Sequence, residues 1–129
     1  MTDRLAYQLK SDKPYDEVVA NLERLSPEHQ FRVLAVHNVQ ETLAEKGFER
    51  GPLKIIEICN AGFAHQATQK DINVALFMPC RFTVYTDDNQ TVVTLARPSV
   101  IAEMLPEAGL NELAATVEET LKTVMTEAV

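Results

Sequence analysis

The sequence of 129 residues has no tryptophan, only two cysteines, four glycines and 6% aromatic residues. Two cysteines are too few for the disulfide framework of a small secreted domain, and four glycines cannot build a glycine-rich phosphate-binding loop. No stretch approaches the roughly 18 uninterrupted apolar residues of a membrane-spanning helix, and the first residues lack the pattern of a signal peptide. We therefore predict a cytoplasmic protein with reduced thiols and no membrane partner.

The charge is predominantly negative, with 19 acidic against 12 basic residues and a net charge of −7. Proteins that bind nucleic acids generally or lie on anionic membranes depend on a field of lysine and arginine, so neither partner is expected. Most of the net negative charge lies after residue 98, where six glutamates accompany one lysine. We interpret this charge as the solvent-facing side of a C-terminal helix.

The spacing of apolar residues predicts one α+β domain over residues 1–129, with elements in the order β-α-β-α-β-α-β-β-α. A single sheet of about five strands is expected to pack against the helices. The predicted strands cover residues 4–10, 31–36, 53–59, 80–86 and 91–97. The predicted helices run between Pro14 and Pro27 and over residues 38–46, 61–69 and 110–124.

Cap and turn residues define the predicted boundaries. Pro27 is expected to end the first helix, because proline cannot continue the hydrogen-bond ladder. Asn60 is a predicted N-cap, and Asp71 is predicted to start a further turn. Residues 87–90 have the composition of a tight hairpin turn, and Pro98 excludes a central strand beyond it.

The most unusual placement is that of Glu57 and Cys59 on one face of a very apolar strand. A carboxylate in such a run must reach an edge or find donors, because burial of an unpaired charge is costly. Two interpretations remain open from the sequence. Either Glu57 has a structural role, in an ion pair with Arg81 or as the cap of a nearby turn, or its pKa is raised beside a thiol.

Cys80 opens the strand that follows Pro79, and its thiol would approach that of Cys59 if the two strands are neighbours. The two cysteines do not form a CxxC motif, and inert packing in the core is the alternative to reactivity. A metal site drawn from these cysteines, His65 and His37 lacks any metal-binding spacing, so no metal or other cofactor is predicted. No GxSxG motif indicates a serine hydrolase.

The segment Glu57-Ile58-Cys59-Asn60, followed by Pro79-Cys80-Arg81, resembles the domain of unknown function 302 family. The resemblance covers most of the chain. It implies a small α+β domain that stands alone, dimerises and has no settled biochemical activity. The chain departs from the family pattern at Ala61, where members often have proline, and at Gln30, where they often have glycine.

The residue patterns and the resemblance converge on one candidate cleft at the ends of two strands. Its predicted residues are Glu57, Cys59, Asn60, His65, Pro79, Cys80 and Arg81. We expect a ligand- or partner-binding accessory module rather than an enzyme, with a small molecule or a protein as its ligand. We also expect it to form a homodimer. The alternatives are a thiol-based redox or sulfur-handling protein that uses Cys59 or Cys80, and a metal- or haem-binding protein.

Overall fold

Five strands and six α-helices make up the computed structural model, which describes residues 2–129, with side chains from residue 4 onward. The strands are Ala6–Ser11 (β1), Arg32–Asn38 (β2), Leu53–Cys59 (β3), Cys80–Asp87 (β4) and Gln90–Ala96 (β5). The helices are Thr2–Leu5 (α1), Tyr15–Glu28 (α2), Val39–Ala44 (α3), Ala61–Lys70 (α4), Pro98–Met104 (α5) and Asn111–Ala128 (α6). Two 3₁₀ helices, Ile72–Phe77 (η1) and Pro106–Ala108 (η2), follow α4 and α5.

The strands form one antiparallel sheet in the order β1-β5-β4-β3-β2, which confirms the predicted α+β class. Alternate residues of the central strands, such as Ile56, Ile58 and Phe82, are completely buried against α2 and α6. We call this side the inner face of the sheet and the opposite side the outer face. Burial of each such side chain contributes about 1.5–3 kcal/mol to the stability of the fold. Most of the core lies between these strands and the two helices.

The hairpin between β4 and β5 has the two-residue turn that its composition predicts. Asp87 pairs with Gln90, and the intervening Asp88 and Asn89 have φ angles of 49° and 64°. Positive φ at both central positions is the geometry of a type I′ turn, whose twist matches that of the flanking strands. This turn fixes the register of the two central strands.

Several predicted boundaries differ from those of the structure, and helices α1 and α5 were not predicted. Helix α2 continues one residue past Pro27 to Glu28, so this exposed proline costs the helix one backbone hydrogen bond close to its end. Residues 4 and 5 belong to α1, since the ladder between β1 and β5 begins with the pair Ala6 and Ala96, although the carbonyl oxygen of Leu5 still accepts a hydrogen bond from the N–H of Arg97 at 2.8 Å. Pro98 does end the preceding strand, but it also starts the unpredicted helix α5 at its first helical position.

Strand β5 pairs along both edges, with β1 and with β4. Its backbone therefore cannot add a strand from a second molecule, and a homodimer remains a prediction. Among the described residues, no helix combines the length and the apolar character needed to cross a membrane.

Candidate functional site

A cavity of about 80 Å³ lies where the C-terminal end of β3 and the start of β4 meet α4, η1, α5 and α6. It separates the core beneath α2 and α6 from a smaller apolar cluster around Val74, Ala102, Leu110 and Ala114. Its lining is almost entirely apolar, and Phe77, which is 37% exposed, lies where the cavity reaches the surface. The arrangement is typical of a site for a small apolar molecule.

Asn60 joins β3 to α4 at the wall of this cavity. Its Oδ1 atom accepts a hydrogen bond from the backbone N–H of Phe63 at 3.0 Å, so Asn60 is the N-cap that the sequence predicts. Its Nδ2 atom donates to the carbonyl oxygen of Gln30 at 2.9 Å. Gln30 has a φ angle of 71°, so the tight turn forms although glutamine replaces the glycine of the family pattern.

Cys59 and Cys80 come together at the same end of the sheet. Cys80 pairs with Ile58, the residue before Cys59, and both cysteines line the cavity as free thiols. Alternation along β3 would place the side chain of Cys59 on the outer face. Cys59 is, however, the last residue of β3, where the chain turns into α4, and it lines the cavity. Burial, followed by the charge of Cys59, raises the pKa of Cys80 to about 11, and burial also raises the pKa of Cys59. Both groups are therefore thiols at neutral pH, which disfavours nucleophilic chemistry.

Glu57 and Arg81 lie on the outer face, away from the cavity. Glu57 Oε1 is 2.8 Å from His37 Nε2, and Glu57 Oε2 is 3.5 Å from Arg81 Nη2. The hydrogen bond from His37, together with the nearby charges of His37 and Arg81, lowers the pKa of Glu57 despite some desolvation. The geometry thus corresponds to the ion-pair alternative for this carboxylate.

The histidines do not activate either thiol. His65 is exposed on α4 and does not line the cavity. His37 pairs with Ile55, four residues along β3 from Cys59 and therefore about 13 Å away along the strand. Within residues 4–129, no group of three or more His, Cys, Asp or Glu side chains is arranged to hold a metal ion.

Four of the seven predicted cleft residues line the cavity, namely Cys59, Asn60, Pro79 and Cys80, whereas the other three lie outside it. No pattern in the sequence indicated the remaining lining, most of which is contributed by α4, η1, α5 and α6. Met78 is the lining residue that could most readily have been added to the predicted cleft, because it immediately precedes the Pro79-Cys80 pair. Those helices are brought together by tertiary packing, which periodicity along one segment does not reveal.

The role of Glu118 was also not predicted from the sequence. Its side chain is 7% exposed on α6, and its Oε1 atom accepts hydrogen bonds from the backbone N–H and the hydroxyl of Ser99, at 3.1 and 2.8 Å. Its Oε2 atom is 3.2 Å from Arg97 Nη2 and 3.3 Å from Lys122 Nζ. Glu118 therefore fastens the start of α5, one wall of the cavity, to α6.

The comparisons with known proteins agree with this fold and give no activity. No curated protein matches the chain. A crystal structure of an uncharacterised conserved DUF302 protein from Bacillus stearothermophilus is similar to this chain, with 27% sequence identity and a TM-score of 0.91. The match covers 97% of this chain and 98% of that protein. The model of the domain of unknown function DUF302 matches residues 7–128, and the chain accordingly belongs to the DUF302 family.

Proposed function

We propose that this protein is a binding module that holds a small apolar molecule in the cavity between the sheet and helices α4, α5 and α6. The observation that carries the proposal is the cavity itself, about 80 Å³ in volume and lined almost wholly by apolar side chains. Voids of this kind are few in close-packed protein interiors, because the lining of a void forgoes contacts.

The lining favours an uncharged ligand. The amide of Asn60, the principal polar side chain at the wall, is already engaged by Phe63 and Gln30. Among the described residues, every buried side-chain nitrogen or oxygen atom has a hydrogen-bond partner. A charged ligand would lose its hydration without gaining compensating partners, and its transfer into the cavity would be unfavourable.

The size of the cavity requires some movement of its wall. An engineered apolar cavity of about 150 Å³ binds benzene, so a volume near half of this admits a ring only if the wall moves outward. Helix α4 is the element best placed to do so, because none of its residues is fully buried. Phe63, Ala64 and Ala67 of α4 line the cavity and would widen it as the helix shifts.

Thermal denaturation with benzene, indole and benzoate tests the proposal on the full chain. A ligand present at 100 times its dissociation constant stabilises the native state by about 2.7 kcal/mol. For a domain of this size that corresponds to a rise in Tm of about 10 °C. We expect benzene or indole to raise Tm, and benzoate to have little effect because of its charge.

Two matched substitutions on α6 locate the effect. Ala114→Leu places a larger side chain at a residue that lines the cavity, whereas Ala115→Leu makes the same change at an exposed neighbour. The first should abolish the ligand-induced rise in Tm, and the second should retain it. If Ala114→Leu disturbs folding, Ala64→Leu on the less buried α4 serves the same purpose. No rise with benzene or indole, or an equal rise in the filled and control variants, would refute the proposal.

A further inference from the structure

Three sulfur-containing side chains belong to residues that line one corner of the cavity, those of Cys59, Met78 and Cys80. We infer that this corner is a binding site for a soft monovalent metal ion of the copper(I) type. The inference does not depend on the binding of an apolar ligand, since it uses different atoms and a different class of partner.

The sheet register brings the backbones of the two cysteines close together, and Met78 lies two residues before one of them. Cys80 lies opposite Ile58, so a step of one residue along β3 separates its Cα from that of Cys59 by about 6 Å. Met78 precedes Cys80 by two residues and also lines the cavity.

The identity of the donors selects the class of metal. Thiolate and thioether sulfur atoms are soft ligands and prefer copper(I), whereas carboxylates and imidazoles suit harder ions. The nearby harder groups are directed elsewhere, because Glu57 and His37 engage each other on the outer face and His65 is exposed. The corner is thus poorly suited to magnesium, calcium or a zinc site with histidine.

Coordination sets the protonation of the donors. Cysteine binds a metal ion as the thiolate, so each coordinating cysteine releases its proton to solvent. The methionine thioether donates a lone pair and has no proton to lose. Two thiolates and one copper(I) ion carry a net charge of −1, whose cost in an apolar cavity the copper–sulfur bonds have to offset, and the oxidation state of copper does not change.

Competition between the protein and bicinchoninate for copper(I), under argon with ascorbate, measures the affinity through the coloured chelator complex. The native chain should bind one equivalent of copper(I). Met78→Leu conserves volume and should weaken binding at least about tenfold, since even groups that only orient a ligand contribute 10–100-fold. Met104→Leu changes an exposed methionine outside the cavity and should have no effect.

The cysteine variants complete the test. Cys59→Ser and Cys80→Ser should each weaken binding more than Met78→Leu does, and circular dichroism of every variant checks that it is folded. Binding that is equally weakened by Met104→Leu and Met78→Leu, or that survives both cysteine substitutions, would overturn the inference. Absence of an equivalent bound in competition would also overturn it. Since benzene binding is measured without metal, failure of either proposal leaves the other intact.

Discussion

Replacement of Glu118 by glutamine tests whether this buried carboxylate fastens α5 to α6. Glutamine keeps an oxygen that can accept from Ser99, but its amide nitrogen cannot accept from Arg97 or Lys122. The change therefore removes the charge from a side chain that is only 7% exposed while its volume stays nearly the same. The consequence is a loss of charge-assisted hydrogen bonds without a cavity.

The magnitude follows from the exposure of the partners. Loss of one member of a fully buried ion pair costs about 3–5 kcal/mol. The side chains of Arg97 and Lys122 are 31% and 24% exposed, so water compensates part of the loss. Because the bonds from Ser99 also survive, we expect Glu118→Gln to lower the free energy of unfolding by about 2–3 kcal/mol.

Urea denaturation followed by far-ultraviolet circular dichroism measures this change, since the chain has no tryptophan for fluorescence. Glu119→Gln is the matched control, because Glu119 is the next residue on α6, its side chain is 77% exposed and it lies 4.0 Å from the same lysine. The control should shift the free energy of unfolding by no more than about 0.5 kcal/mol. Equal effects of the two substitutions would refute the role assigned to Glu118.

The pH dependence gives an independent check of the same reasoning. Burial alone would raise the pKa of Glu118, but hydrogen bonds from Ser99 and the charge of Arg97 outweigh it and leave the pKa below 4.5. A carboxyl group with a lowered pKa stabilises the folded state above the pKa of the unfolded chain, and this stabilisation is lost as pH falls through the folded value. The difference between the native chain and Glu118→Gln should therefore be full at pH 7 and shrink below about pH 4.5. A difference that is constant down to pH 3 would mean that charge is not its source.

Two further predictions concern the loop and the thiols near the cavity. Gln30→Gly should raise the free energy of unfolding by about 0.5–1 kcal/mol in urea denaturation. The left-handed conformation costs a residue with a side chain about 1–2 kcal/mol, and the more flexible unfolded chain of the glycine variant offsets part of this gain. A destabilised variant would contradict the prediction. In a Cys59→Ser variant, alkylation of Cys80 should be far slower at pH 8 in native buffer than in urea and should rise toward a pH near 11, since its pKa is raised to about 11 chiefly by burial. Similar rates in native and denaturing buffer would show that Cys80 is accessible and reactive.

The elements that could be predicted from the sequence are those specified by nearby residues. The bounds of β3 were predicted correctly, because a short run rich in isoleucine extends from Leu53 to Cys59 and is bounded by Pro52 and Asn60. The cap at Asn60 and the turn at Asp88 and Asn89 follow from local side-chain and backbone preferences. These features require no knowledge of distant contacts.

The features that were not predicted depend on contacts between distant segments. Helix α5 has no side-chain cap of its own, and the carboxylate that binds its first turn comes from Glu118, 19 residues after Ser99. The cavity is likewise assembled from segments between Phe31 and Val117. The pairing of Glu57 with His37 depends on the register between β2 and β3, which strand alternation does not specify.

The position of β1 at the edge of the sheet has a consequence for the order of folding during synthesis. Ala6 pairs with Ala96, which is 90 residues later in the chain. At about 5–20 residues per second, a ribosome needs roughly 5–20 s to make the intervening segment. The first strand to be synthesised is thus the last to find its partner. During this interval Tyr7 and Leu9, which pack against the finished core, remain available to chaperones or to neighbouring chains.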